Sequence, residues 1–185
     1  MRFLDKVKLG NKLIKNLKIG ILGGTFDPAH KGHVKISRES KKRFKLNYII
    51  WAITKKNPFK KQSSLNLKSR ISFAKKITKK EKFIKIEFYE KKIKSNKTID
   101  LINYFKKNSK KLDIYFIMGA DNLVNFHKWH KWKSISKKCN ILVFDRRGYR
   151  AKSLKSITYK QLNKRGLSFI KFKKVNISSS QLRKI

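Results

Sequence analysis

Apolar residues along the chain fall into short runs, and stretches of helical periodicity separate them. The runs have the length and nearly continuous apolar character of strands covered on both faces, at residues 18–22, 48–53, 83–88, 114–118 and 141–144, with a shorter sixth at 168–172. Between them two groups of residues recur at helical spacing, Leu67/Ile71/Ala74 and Thr98/Leu101/Ile102/Phe105. This alternation predicts an α/β fold, with a parallel sheet of five or six strands, right-handed crossovers and helices on both faces.

The polar segments of the chain are concentrated after the predicted strands. Ligands of open parallel sheets bind beyond the carboxyl ends of the strands. Three segments rich in side-chain chemistry fall there: residues 23–33 after the first strand, 54–61 after the second and 119–132 after the fourth. We therefore expect a single site at one edge of the sheet.

The segment after the first strand has the most specific pattern. It reads Gly-Gly-Thr-Phe-Asp-Pro-Ala-His-Lys-Gly-His from Gly23 to His33. Glycines let the backbone approach a ligand closely, and the N–H groups and macrodipole of a helix that begins here attract an anion. His30 and His33 stand at the predicted helix start and can donate hydrogen bonds to phosphate oxygens. A zinc site is disfavoured, because the chain has four histidines and one cysteine with no clustered further ligands.

The other segments suit ligand binding but also have plain structural explanations. Asp121, which follows Gly119, can contact a ligand or act as an acid in the first turn of a helix. The ring of Trp129 suits a flat heterocycle, and stacking on a base contributes roughly 1–3 kcal/mol, but core packing is the alternative. Trp132 is the tryptophan that we expect in the core. The lysines of loop 55–61 can meet a phosphate or form a solvated charge run, and the serines and arginine of 178–183 can hold a phosphate or cap a helix.

Composition indicates one domain and disfavours several classes of protein. The 185 residues include no run of about 18 apolar residues that would cross a membrane and no secretory signal. The single cysteine, Cys139, lies in an apolar run, which is typical of a cytoplasmic protein. The net charge is +41, but the cations are spread over every segment and only nine of the 51 are arginine. We therefore predict non-specific polyanion binding at low salt, and neither a specific nucleic-acid partner nor a membrane partner.

The Gly23–His33 segment resembles the signature of nucleotidyltransferases that carry (His/Thr)-x-Gly-His, and its full form resembles the nicotinate-nucleotide adenylyltransferases in particular. Other segments resemble the same family: Asn57-Pro58-Phe59-Lys60, Thr98-Ile99-Asp100, Gly119-Ala120-Asp121-Asn122-Leu123 with Phe126-His127-Lys128-Trp129, Arg146-Arg147-Gly148-Tyr149, and Ile177–Arg183. Arg147 stands where relatives have proline, and Ser180 where threonine is usual. The resemblance extends over about residues 18–183. It predicts one nucleotidyltransferase domain of Rossmann-like fold at residues 18–185, with residues 1–17 as a basic extension outside it.

The resemblance implies transfer of the adenylyl group of ATP to nicotinate mononucleotide, giving deamido-NAD and pyrophosphate, with Mg²⁺ entering together with ATP. It implies catalytic roles for His30, His33 and Arg183. It implies ATP binding by Gly23, Gly24, Thr25, Phe26, Gly119, Asp121, Ser179 and Ser180. It implies binding of nicotinate mononucleotide by Lys55, Asn57, Lys61, Thr98 and Trp129, and no metal site built by the protein. Asp27 is expected to fix the turn through local hydrogen bonds.

Two other functions remain as alternatives. One is a related adenylyltransferase acting on another phosphate acceptor, such as phosphopantetheine, although such relatives usually have threonine at the position of His30 and lack the Phe-x-x-Trp segment. The other is a basic RNA-binding module, which needs clustered cations interleaved with aromatic residues on one sheet face. The sequence contains no such cluster.

Overall fold

Six parallel strands form one sheet in the computed structural model, which describes residues 17–56, 63–108, 111–163 and 166–171. The strands are β1 (Leu17–Gly24), β2 (Tyr48–Ile53), β3 (Ile84–Glu87), β4 (Leu112–Gly119), β5 (Asn140–Phe144) and β6 (Leu167–Ile170). They lie in the order β3-β2-β1-β4-β5-β6, and every neighbouring pair is parallel. The predicted sheet is thereby confirmed with six strands, each bounded within a few residues of the prediction.

Helices follow the strands along the chain. They are α1 (Lys31–Phe44), α2 (Leu67–Ile77), α3 (Glu90–Ile93), α4 (Thr98–Asn108), α5 (Ala120–Val124), α6 (Trp132–Lys138), α7 (Arg150–Leu154) and α8 (Ile157–Leu162), with a 3₁₀ turn at Phe126–Lys128. The two groups at helical spacing in the sequence correspond to α2 and α4. None of the helices in the described part of the chain is long and apolar enough to span a membrane.

The sheet is covered on both faces, and each face has its own apolar core. Alternate strand residues such as Ile19, Ile50 and Phe116 pack on one face against side chains of α4, α5, α6 and α8. Residues one position along, such as Trp51 and Leu142, pack on the other face against α1 and α2. Burial on both faces explains why these strands are apolar almost throughout instead of alternating.

The strand order places the functional segments at one point of the sheet. The chain passes outward from β1 through β2 to β3 and then returns to β4 on the other side of β1. The crevice at such a reversal is the usual ligand site of an open parallel sheet. The carboxyl ends of β1, β2 and β4 therefore meet where the sequence predicted a site. Of the predicted extension, residues 1–16 lie outside the described residues, and the last one, Leu17, is the first residue of β1.

Candidate active site

The two histidines hold the beginning of α1. His30 is the N-cap, and its Nδ1 accepts the backbone N–H of Gly32 at 3.1 Å. His33 Nδ1 accepts the backbone N–H of His30 at 3.1 Å, which completes a reciprocal capping box. A ring nitrogen that accepts an N–H carries no proton, so each neutral imidazole must carry its proton on Nε2. Each Nε2–H is then the group that can donate to a phosphate oxygen.

Burial keeps His30 neutral at physiological pH. Burial and, to a smaller extent, the positive charge of Arg146 together lower the pKa of His30 from 6.5 to about 4. The two imidazole rings are 3.8 Å apart between centroids, at 35° to each other. The two rings thus lie side by side at the helix start, and neutral His30 can donate a hydrogen bond to an anion without carrying a net charge itself.

Aromatic side chains pack against the start of α1, where His30 and His33 form what we call the histidine corner. The ring of Phe26 is stacked on Trp51, with centroids 4.8 Å apart, and lies 4.9 Å from the ring of His33. Phe26 is 3% exposed and has a φ of +49°, an uncommon conformation for a bulky residue, which the packing of its ring holds in place. Only the backbone of Phe26 can therefore reach a ligand, so its predicted part in ATP binding reduces to a backbone contact.

A second hydrogen-bond chain fixes α1 to the sheet. The indole N–H of Trp51 donates to Ser37 Oγ at 2.8 Å, and the hydroxyl of Ser37 donates to the carbonyl of His33 at 2.9 Å. Both Trp51 and Ser37 are fully buried. The backbone of His33 is therefore tied to β2 through one serine.

An ion pair stands at the end of β4. Arg146 Nη1 donates to Asp121 Oδ2 at 2.6 Å, and this arginine is the same one that lowers the pKa of His30. Gly119, the N-cap of α5, lies under the carboxylate, since a Cβ added there would be 2.4 Å from Asp121 Oδ1. Any larger residue at this position would force the Asp121 carboxylate to shift from its place beside Arg146. Gly119 and Asp121, both predicted to bind ATP, thus lie together. Arg146 connects them to the histidines electrostatically, because it pairs with Asp121 and its charge lowers the pKa of His30.

A cavity of about 320 Å³ opens beside β1, β2 and β4. Its wall includes four of the predicted site residues, Gly23, Gly24, Thr98 and Trp129. Trp129 is half-buried and contacts Phe126 and Phe116 edge to face, at 5.2 and 6.0 Å between centroids. The structure thus places Trp129 at the boundary between core and cavity. Trp132, the expected core tryptophan, is half-buried too and packs on the same cluster, but it does not line the cavity.

In the described part of loop 55–61, Lys56 lines the cavity and Lys55 does not, and both side chains are exposed. The backbone N–H of Lys55 donates to both carboxylate oxygens of Glu90 at 3.2 Å. Burial raises the pKa of Glu90 above its ordinary value, and the Lys55 N–H and the charge of Arg70 oppose this rise. Glu90 lies on the cavity wall as well. The role predicted for the Lys55 side chain stays a prediction, and the structure adds a contact between its backbone and Glu90.

Asp27 acts over a longer distance than expected. Its carboxylate oxygens accept the backbone N–H groups of Ser64 and Leu65, at 2.8 and 3.0 Å. These partners lie 37 and 38 residues away, so the carboxylate reaches beyond the local turn to which the sequence analysis assigned it. The carboxylate joins the β1–α1 turn to the segment that leads into α2.

Five predicted site residues lie outside the described residues: Asn57, Lys61, Ser179, Ser180 and Arg183. Sequence reasoning overlooked Arg70, Ser37 and Glu90, and it included Arg146 only as part of a segment that resembles the family. One signal was available for Arg70, which stands among Leu67, Ile71 and Ala74 on the apolar stripe of α2.

No group of three or more His, Cys, Asp or Glu that could hold a metal ion occurs in the described part of the chain.

Comparison with known proteins defines the class. The family model described as cytidylyltransferase-like matches residues 21–185. That span contains every strand of the sheet except the beginning of β1, and it contains the histidine corner. The fold and the site together define a nucleotidyltransferase of the cytidylyltransferase-like class.

Individual relatives refine the assignment. A probable nicotinate-nucleotide adenylyltransferase of Pelagibacter ubique (strain HTCC1062) is 72% identical over 171 residues, which are 92% of this chain and 94% of that protein. One from Bradyrhizobium sp. (strain ORS 278), also described as probable, is 38% identical over 73% of this chain and 71% of its own length. The Plasmodium falciparum nicotinic acid mononucleotide adenylyltransferase complexed with NaAD has the same fold, with a TM-score of 0.73 at 20% identity over 91% of this chain and 83% of that one. The chain belongs to the nicotinate-nucleotide adenylyltransferase family. The predicted fold, family and enzyme class are confirmed.

Proposed function

We propose that this chain transfers the adenylyl group of ATP to nicotinate mononucleotide, giving deamido-NAD and pyrophosphate. The observation that carries the proposal is the pair of Nε2–H groups of His30 and His33 at the reversal of strand order, beside a cavity large enough for a nucleotide. Membership of the family supports the same pair of substrates. The Plasmodium protein has been solved with NaAD and with APC.

The chemistry needs no nucleophile from the protein. A 5′-phosphate oxygen of nicotinate mononucleotide attacks the α-phosphorus of ATP, and the bond from that phosphorus to the β-phosphate bridging oxygen breaks to release pyrophosphate. The attacking phosphate is already an anion at pH 7, so catalysis consists of positioning and of neutralising charge on the triphosphate. We assign the second task to His30 and His33, whose Nε2–H groups donate to phosphate oxygens.

The ATP side of the site is completed by further assignments. The glycines Gly23 and Gly24 and the backbone of Thr25 and Phe26 approach the nucleotide, and Gly119 and Asp121 contact it from the end of β4. Ser179, Ser180 and Arg183 hold the β- and γ-phosphates. Mg²⁺ arrives as the magnesium complex of ATP, which suits a cation that keeps several waters and is commonly bound through substrate phosphates.

The acceptor side uses the cavity. Trp129 is placed to stack on the pyridine ring, and the first turn of α4, an 11-residue helix that begins at Thr98, offers N–H groups to the nicotinate carboxylate. Lys56, Lys97 and Lys128 line the same cavity and add positive potential for an anionic acceptor. Asn57 and Lys61 are assigned to the mononucleotide phosphate.

We also infer that the protein acts in the cytoplasm and binds polyanions non-specifically at low salt. The first inference is supported by Cys139, which is a buried free thiol. The second is supported by the net charge of +41. Neither a specific nucleic-acid partner nor a membrane is part of the proposal.

A pyrophosphate-release assay with ATP and a panel of acceptors tests the proposal. The panel contains nicotinate mononucleotide, nicotinamide mononucleotide and 4′-phosphopantetheine, with a no-acceptor control. We expect release with nicotinate mononucleotide and a product of the mass of deamido-NAD. Release only with 4′-phosphopantetheine supports the related adenylyltransferase instead, and tight, salt-resistant RNA binding without any release supports the RNA-binding alternative.

A further inference from the structure

Arg70 is the one cationic side chain that the fold buries among the described residues, at 2% exposure. Its guanidinium donates four hydrogen bonds, and all four acceptors are backbone carbonyls. Nη1 donates to Thr25 at 2.6 Å and to Thr54 at 2.8 Å, Nη2 to Lys55 at 3.1 Å, and Nε to Leu65 at 3.1 Å. A rigid fork is needed to satisfy this arrangement, which a lysine cannot reproduce.

The acceptors lie on different sides of the proposed site. Thr25 belongs to the turn between β1 and the histidine corner, on the ATP side. Thr54 lines the cavity and Lys55 precedes Lys56 on its wall, on the acceptor side. The β1–β2 ladder ends with the bond from the Thr54 N–H to the Gly24 carbonyl at 2.9 Å. Arg70 is thus a single rigid group that joins the two backbone segments beyond this last ladder bond, where they diverge towards the two sides of the site.

Nearby carboxylates stabilise the buried charge of Arg70. Burial lowers the pKa of Arg70 below its ordinary value, and the carboxylates of Asp27 and Glu90 counteract that effect. Both carboxylates also accept backbone N–H groups, Asp27 from Ser64 and Leu65 and Glu90 from Lys55. The cation therefore stands at the centre of a network that joins three loops. Anchoring α2 to the sheet does not require a cation, because an apolar side chain could anchor the helix without the several kcal/mol that desolvation of a charge costs.

We propose that Arg70 is a positioning residue that sets the distance between the bound ATP and the bound acceptor. This inference rests on the proposed function, which assigns the two substrates to the two sides of the site. Apart from Gly23 and Gly24, which border both halves, each substrate is bound by groups of its own half, whereas the reaction requires the two halves to be in register. Misplacing reacting groups by about 1 Å can cost about 10²-fold in rate.

The inference predicts a particular division between binding and turnover. In Arg70→Lys and Arg70→Met, we expect the Kd of ATP alone and of nicotinate mononucleotide alone to change by no more than about threefold, while kcat falls by at least about 30-fold. Deamido-NAD spans both halves, and its affinity depends on their spacing, so it should bind at least about tenfold more weakly. Arg70→Lys should be the milder variant, because it keeps the charge.

Ala74→Gly provides the matched control. Ala74 is a fully buried core residue on the same helix and does not line the cavity, and glycine in a helix interior costs about 1 kcal/mol of stability. Calorimetric binding, steady-state kinetics and thermal melts are measured for the wild type and all variants. We expect Ala74→Gly to lower Tm and to keep the wild-type kcat and dinucleotide affinity.

The outcomes separate this inference from the proposed function. A wild type that neither forms nor binds deamido-NAD overturns the proposed function and, with it, the stated role of Arg70. An active wild type with Arg70 variants of unchanged kcat overturns the positioning role alone. The role is also overturned if the variants lose ATP, acceptor and dinucleotide affinity equally, or if Ala74→Gly loses kcat to the same extent at the same loss of Tm. If Arg70→Met does not fold, Arg70→Lys decides by the same criteria.

Discussion

At the scale of the residue, His33 has two tasks that one substitution can separate. Its Nδ1 holds the helix start, and its Nε2–H is directed to the proposed phosphate site. His33→Ala should reduce kcat by at least about 10²-fold, the cost of losing one preorganised donor. It should also lose about 1 kcal/mol of stability, because the capping bond disappears.

His33→Gln is the matched control for this prediction. Glutamine at the third helical position can accept the N-cap N–H and so restore the capping box without an imidazole. Thermal melts should therefore find His33→Gln close to the wild type, while its kcat stays low. A well-folded His33→Ala with near-wild-type kcat would remove His33 from the mechanism.

Trp129 gives a second prediction at this scale, with Trp132 as its control. Both rings are half-buried and pack against the same core cluster, but only Trp129 lines the cavity. Replacing either by alanine should cost several kcal/mol of stability. Trp129→Ala should in addition raise KM for nicotinate mononucleotide more than KM for ATP, through loss of ring stacking. Steady-state kinetics beside thermal melts test this, and equal damage to both KM values would refute stacking.

Single residues differ in how far the sequence can reveal them. The Gly23–His33 segment could be predicted because its chemistry is local: glycines, a helix start and two imidazoles lie within eleven residues. Arg70 could not, because its acceptors come from Thr25, Thr54, Lys55 and Leu65, whose proximity exists only in the folded chain. The same reason explains why Asp27 was assigned short-range bonds. Residues whose partners are distant in sequence are recognised only as polar positions on an apolar stripe.

At the scale of the element, the N-terminus of α1 makes stability depend on pH. The pKa of His30 is lowered from 6.5 to about 4 in the folded protein, first by burial and then by Arg146. Between these two values the unfolded chain binds more protons than the folded one. The contribution of neutral His30 is therefore fully present above pH 6.5 and is lost as the pH falls towards 4.

His30→Asn should remove this dependence and keep the helix, since asparagine is a favourable N-cap that does not titrate. Free energies of unfolding in urea at pH 7.5 and 5.0 should fall more for the wild type than for the variant. The comparison cancels the self-repulsion of the other charges, which both proteins share. Parallel losses in the two proteins would show that His30 does not carry the effect.

The contact between α1 and β2 yields a prediction about coupling. Ser37→Ala leaves the buried N–H of Trp51 without its acceptor, which should cost about 1–3 kcal/mol. Trp51→Phe removes the same bond together with part of a well-packed ring. The double variant should lose less stability than the sum of the single losses, and denaturant titrations of all four proteins measure the difference. Strict additivity would mean that the 2.8 Å contact contributes nothing to stability.

Strands and long helices could be predicted more completely than short helices. The strands are apolar on both faces because helices cover both sides, so each stands out as a continuous run. The helices α2 and α4 have 11 residues each, enough for a periodic pattern to emerge. By contrast, α3 has four residues and α7 has five, too few for any period, and contacts with the rest of the fold determine them.

At the scale of the whole molecule, the high lysine content distinguishes this chain more than its fold does. Only 10 acidic residues oppose 51 basic ones, and both proposed substrates and the pyrophosphate product are anions. Charges on the surface act on an approaching anion over a Debye length of about 8 Å at physiological ionic strength. The groups at the reacting atoms act at contact distance. The surface lysines should therefore speed the association of anionic substrates and leave the rate of the chemical step unchanged.

This separation can be measured by varying ionic strength. Raising salt from low to high should lower kcat/KM, because screening removes the attraction that speeds association of anionic substrates with a cationic protein. Single-turnover rates at saturating substrate should stay nearly constant over the same series, and they serve as the internal control. A flat kcat/KM would mean that the lysines do not steer substrates and are solubilising surface residues. A single-turnover rate that falls with salt would instead show that lysines distant from the phosphates contribute to the transition state, contrary to the contact-distance mechanism proposed for His30 and His33.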